Sequence, residues 1–188
     1  MDEPATVDGI SLADPSVPID PEQAATTLGT TLAARHAAVP TAAGVVDLAA
    51  FAAAVRDAAE SVDDAPIESG PYLDRSRRDL ARIAVDTVAA LPPSDDPPVA
   101  ITPGLTLDMV TVQRDGSMVI GADTVAGDRH LDTARVAVAL AIRFGTAVVA
   151  PFLAAYGLDD VDLRRLDTCQ LLTSVAAELG VTEPVDAT

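Results

Sequence analysis

Asp123, Asp128, His130 and Asp132 lie in one short stretch flanked by Gly121 and Gly127, and oxygen ligands around a single imidazole form a donor set able to hold a divalent cation. A loop entering a helix is also a common place for function. The spacing matches neither an EF-hand nor a zinc motif, and in a chain this rich in aspartate Asp128 or Asp132 is equally explained as a helix N-cap. Capping and solvation are therefore the plain reading of these four residues, and a metal site is the alternative to it. A divalent cation is the only cofactor the sequence suggests, and none is predicted outright.

The second constellation is Arg75, Arg77, Arg78 and Arg82, four of the 12 basic residues of the chain. Clustered guanidinium groups suit an anion, a nucleotide or an acidic partner. On a continuous helix, however, Asp74 would meet Arg78, Arg75 would meet Asp79 and Arg82 would meet Asp86. Such pairs are worth only a few tenths of a kcal/mol each, and they would leave Arg77 alone without a partner.

Other chemistries lack their parts. Gly121-Ala122-Asp123-Thr124 completes neither a Walker loop nor a dinucleotide fingerprint, and no Gly-x-Ser-x-Gly elbow exists. His36 and His130 are the only histidines, and His36 reads as a surface or half-buried residue. Cys169 is the single cysteine, which excludes an intramolecular disulfide and favours a reducing, cytoplasmic location. The start of the chain, Met1-Asp2-Glu3-Pro4, has no secretory character.

The elements that would position these residues follow from periodicity. Asp20-Pro21-Glu22-Gln23 is a strong helix start, and the spacing predicts a helix to about Ala38. Leu48, Phe51, Val55, Ala58 and Val62 predict a second, amphipathic helix. A third is predicted from about Pro71 to Leu91, closed by the proline-rich run 92–98. Alternation from Leu107 to Gln113, an Asp115-Gly116 turn and the run Met118–Ala122 predict a β-hairpin within 105–125. A two-residue loop would set Val112 against Val119 and Thr111 against Ile120.

An Ala/Val-rich segment, 133–144, then reads as a buried central helix covering the hairpin through Val138 and Ile142. Thr146–Ala150 fits either strand or helix. Leu163 to Leu179 predicts a last helix with Gly180 as its cap. The fold class is α+β and mostly helical, with about five to six helices around the hairpin. A mobile acidic arm over 1–19 precedes a compact domain over 20–180. Within it, a helical part (20–91) and a connector (92–100) lead to the hairpin and its helices (101–180), and 181–188 read as a tail.

With 29 acidic against 12 basic residues, no lysine and a net charge of −17, the composition resembles cytoplasmic proteins of salt-accumulating halophiles, with a GC-rich actinobacterial source as the competing reading. The apolar run 136–158 has the length of a membrane span, but Arg143 near its middle would cost about 3 kcal/mol and Pro151 interrupts it, so a buried core segment is favoured. Nucleic-acid binding is disfavoured. A winged helix, with Arg114 at the tip of its wing, would need a recognition segment over 148–156, which carries no basic or amide side chain.

These observations lead to the expectation of a non-enzymatic interaction or regulatory module of a salt-adapted organism, working with a protein partner or a second copy of itself. The alternatives are a cation-dependent enzyme or small-ligand-binding protein using the 123–132 loop, and a winged-helix-like regulator.

Overall fold

The computed structural model describes residues 9–67, 72–157 and 161–186. It is α+β and mostly helical. Among the described residues are six α-helices: α1 (Pro21–His36), α2 (Leu48–Ser61), α3 (Arg77–Ala89), α4 (Arg129–Phe144), α5 (Val149–Tyr156) and α6 (Leu163–Leu179). Five of them start at a side-chain cap that satisfies a free backbone N–H. Asp20, Asp47, Ser76, Asp128 and Asp162 accept from Gln23, Ala50, Asp79, His130 and Arg165, respectively. Four aspartates are thus spent on starting helices.

Five short strands complete the fold: β1 (Ile10–Ser11), β2 (Val99–Ile101), β3 (Val110–Val112), β4 (Met118–Ile120) and β5 (Val125–Gly127). They form an antiparallel sheet of order β1-β3-β4 and a separate antiparallel pair β2-β5. The hairpin exists, but its register is one residue from the expected one. Val112 faces Met118, and Val110 faces Ile120.

The cause is the turn. Gln113 N–H donates to Ser117 O at 2.8 Å, so the loop has three residues, and the left-handed one is Gly116 at φ +82°. Asp115 keeps a negative φ and accepts from Ser117 N–H instead. This is a three-residue loop with a glycine bulge rather than a mirror-image two-residue turn. Val110 and Ile120 are consequently buried, while Val119 is exposed.

Several boundaries also move. The central helix begins at Arg129, one turn before the expected start, because Asp128 is its cap. The third helix begins only at Arg77. Asp74 at φ +62° sits in a turn whose N–H bonds back to Ile67 O, which excludes residues 72–76 from the helix. The expected start of that helix, at Pro71, lies outside the described residues. Thr146–Val148 is a 3₁₀ turn leading into α5, so the segment after Gly145 is helical.

The central helix is not what covers the hairpin. Strand β4 packs on α1, whereas α4 packs on α6, and α1 makes its broadest contact with α5. Gly29 allows that approach, since a Cβ there would lie 2.5 Å from Phe152 O. Leu28, Leu32, Phe51, Leu140, Phe152 and Leu172 are fully buried in the resulting core. Ile142, expected inside, is 76% exposed. Ile142→Asp is therefore expected to change stability by less than about 0.5 kcal/mol in a thermal melt at fixed KCl, the ordinary range for a surface substitution.

The chain ends are tied in where they are described. Leu12 is fully buried, and Arg143 donates to Ala13 O at 3.0 Å and Asp14 O at 2.7 Å. Near the other end, Val45 and Asp186 exchange backbone hydrogen bonds at 3.1 Å. Among the described residues no helix is long and apolar enough to cross a membrane.

Candidate functional site

Ile101 faces Val125 across the β2–β5 pair, and Val110 faces Ile120 across β3–β4. Both pairs are antiparallel, so the connections 102–109 and 121–124 leave neighbouring ends of the two ladders. They touch where Gly121 N–H donates to Met109 O at 2.9 Å. Loops held side by side on a rigid base are the usual setting for binding residues.

Three charged side chains hold these loops through their backbone. Arg35, in the last turn of α1, donates from Nε to Thr102 Oγ1 at 3.0 Å and from its terminal nitrogens to Ile120 O at 2.9 Å and to Ala122 O. One guanidinium thereby fastens both connections. Burial lowers its pKa, and the opposing charges of Asp132 and Asp123 counter that effect.

Asp132, on the first turn of α4, is fully buried and accepts from Thr102 N–H at 2.8 Å through Oδ2. His36 Nε2 lies 3.4 Å from the same oxygen, and His36 Nδ1 lies 2.7 Å from the Tyr156 hydroxyl. Asp132 Oδ1 has no hydrogen-bond partner among the described residues, and burial raises the pKa of this carboxyl despite the opposing effect of His36.

Glu183 is the third. Its Oε2 accepts from Gly104 N–H at 2.9 Å, while Oε1 accepts from Arg135 at 2.9 and 2.5 Å. With the backbone fixed in this way, the loops expose Thr106, Asp108 and Asp123. Two carboxylates and a hydroxyl on a preorganised surface can attract and hydrogen-bond an amine-bearing molecule.

The four residues read from the sequence as a cation site are divided among separate surroundings. Asp123 faces solvent on the loop, and Asp132 serves Thr102 and His36. Asp128 and His130 form a pair of their own. Asp162 N–H donates to His130 Nε2 at 3.2 Å, which leaves Nδ1 protonated and donating to Asp128 Oδ1 at 2.7 Å. Asp128 also accepts from His130 N–H and, through Oδ2, from Arg165 Nε. Both ring nitrogens of His130 are thus occupied. Among the described residues no group of three or more His, Cys, Asp or Glu side chains converges as a metal centre would need.

The arginines also part. Arg78 donates to Ala59 O and Val62 O at the end of α2, and Arg82 pairs with Asp79 at 3.2 Å rather than with Asp86. Arg77 Nε is buried without a hydrogen-bond partner among the described residues. Arg75 lies before the helix, in a groove shared with Arg82. The segment 148–156, weighed as the recognition segment of a winged helix, forms α5 with the residue before it; α5 packs on α1, and its Phe152 and Tyr156 are buried.

Arg35 and Glu183 were not singled out from the sequence. Arg35 carried one weak signal, a cation at a helix C-terminus beside His36. Glu183 lay in a segment read as a tail.

No family model matches the chain, and neither does any curated protein. Solved structures do resemble it. The crystal structure of an aminoglycoside-3'-phosphotransferase of type VIII superposes with a TM-score of 0.60 at 22% identity, over 82% of this chain and 60% of that one. A macrolide 2'-phosphotransferase of type I gives 0.52 at 19% identity, over 87% of this chain and 56% of that one. The chain spans less than two thirds of the length of either. At such identities the likeness is one of fold, and it overturns the expectation of a non-enzymatic interaction or regulatory module, because both neighbours are enzymes that act on small molecules.

Proposed function

We propose that this chain belongs to an enzyme of the small-molecule phosphotransferase type and binds an amine-bearing, sugar-like substrate at the loop pair 102–109 and 121–124. The observation that carries the reading is the fold shared with two phosphotransferases whose names give different antibiotic substrates. Two features of the chain support it. Arg35, Asp132 and Glu183 hold both loops by their backbone, and the carboxylates of Asp108 and Asp123 face solvent on a protein of net charge −17. Aminoglycosides carry several ammonium groups, which such a surface attracts.

Phosphoryl transfer also needs positive charge around the transferred group, commonly a lysine and a metal ion held by carboxylates. The sequence has no lysine, and among the described residues the acids do not gather around one point. What these residues supply is loop geometry and recognition of a cationic substrate.

The test is titration calorimetry with an aminoglycoside and with a neutral disaccharide at fixed high KCl, followed by an ATP-dependent transfer assay. A saturable isotherm for the aminoglycoside alone is expected, weakened about tenfold or more by combined Asp108→Asn and Asp123→Asn. The loop-tip variant Asp115→Asn controls for general charge attraction. Equal binding of both sugars, or an unchanged affinity in the combined Asp108→Asn and Asp123→Asn variant, would remove the proposal.

A further inference from the structure

Helices α3 and α6 leave a groove of about 750 Å³ between them, within the size range of small-molecule sites. Its charge runs against the rest of the protein. Arg75, Arg82 and Arg164, three of only 12 basic residues, line it, with Asp79 and Asp167 as the acids among them. The expected i,i+4 pairing of Arg75 with Asp79 is not made, because Arg75 precedes the helix and Asp79 bonds Arg82 instead. Arg164 spends one terminal nitrogen on Ala90 O at 3.2 Å.

Between the guanidinium groups the wall is apolar. Leu80, Ile83 and Leu171 contribute to it, and Ile83 is 44% exposed. Leu73 and Leu163, the chain neighbours of the lining residues Tyr72 and Arg164, are 54% and 56% exposed. Burial and the nearby Asp167 raise the pKa of Tyr72, so its phenol stays a neutral donor at the rim.

We infer that this groove binds a small amphipathic organic anion, with a phosphate or carboxylate head among Arg75, Arg82 and Arg164 and an apolar body over Ile83 and Leu171. Guanidinium forks match either head by paired N–H···O bonds, and the apolar wall rewards a body that inorganic anions lack. Neither Asp108 nor Asp123 lines the groove, so the site stands or falls independently of the substrate reading.

The experiment is titration calorimetry of the full chain at fixed KCl with 1-naphthyl phosphate, 1-naphthoate, inorganic phosphate and 1-naphthol. One of the two naphthyl anions is expected to saturate a single site, with inorganic phosphate and 1-naphthol at least roughly tenfold weaker. The head group is the one on the tighter anion. Combined Arg75→Gln and Arg164→Gln should weaken it about tenfold, and Ile83→Asn should do likewise. These exposed substitutions are checked by an unchanged melting temperature. No saturation by either anion, equal binding of 1-naphthol or of inorganic phosphate, or wild-type affinity in the double arginine variant would each overturn the inference.

Discussion

Arg35→Met is expected to lower stability by about 3–5 kcal/mol, although the substitution lies outside the apolar core and roughly preserves the length of the side chain. The carbonyls of Ile120 and Ala122 and the hydroxyl of Thr102 would lose a charged donor together. Each such bond is worth roughly 1.5–3 kcal/mol when broken, part of which returns as the loops relax toward water. Asp132, fully buried, would also lose a compensating positive charge.

For a chain of this length the loss corresponds to a fall of roughly 10 °C in melting temperature. Arg56→Met is the control. Its ion pair with Asp57 is half-exposed or more on both sides, and its loss should be nearly silent. Arg35→Lys should recover only part of the difference, since an ammonium cannot span three acceptors in a planar fork. Equal melting shifts for Arg35→Met and Arg56→Met would show that Arg35 does not hold the loops.

What the sequence made legible was whatever is written in local chemistry. Asp20-Pro21 and Gly180 mark helix ends because capping needs only neighbouring residues, and α1 and α6 follow from them, while α2 follows from the helical spacing of Leu48, Phe51 and Val55. The hairpin was visible for the same reason. Its register was not, because Asp115-Gly116 suits both a two-residue and a three-residue loop, and the choice fell to the packing of Val110 and Ile120. Strand β5 was read as loop because its pairing with β2 joins residues far apart in the chain.

The candidate site was legible only in fragments. The stretch 123–132 was read as one cluster, yet its residues face different ways. Asp128 and Asp132 lie four residues apart on the start of α4, and one turns to His130 and Arg165 while the other turns to Thr102 and His36. Such partners become visible only when α1, β2 and α6 are in place. Glu183 lies 79 positions from Gly104, a separation that no local pattern reports.

Acid should expose the contribution of Asp128. Burial alone would raise the pKa of this carboxyl, but hydrogen bonds from the His130 side chain and backbone and from Arg165 outweigh it and hold the value at about 2, against an ordinary 3.8. A carboxyl depressed in the folded state stabilises it above its ordinary pKa, and the contribution disappears as pH falls through the folded value. The window is therefore about pH 4 down to about pH 2, and a shift of this size corresponds to roughly 2 kcal/mol at neutral pH. Asp132 works in the opposite sense. Its raised pKa means that its ionised form costs stability at neutral pH, a cost that protonation relieves, so it cannot produce a loss in acid. Urea unfolding of wild type and Asp128→Asn between pH 7 and pH 2.5 isolates the effect, because all other carboxyls cancel in the difference. The difference is expected to be about 2 kcal/mol at pH 7 and to shrink below pH 4. Asp128→Ala should cost more at neutral pH, about 3–5 kcal/mol, since it leaves Arg165 and His130 without their partner in a site where Arg165 and Asp128 are 12% and 11% exposed. Parallel curves for wild type and Asp128→Asn across the whole range would mean that the His130–Asp128–Arg165 cluster does not hold the carboxylate ionised.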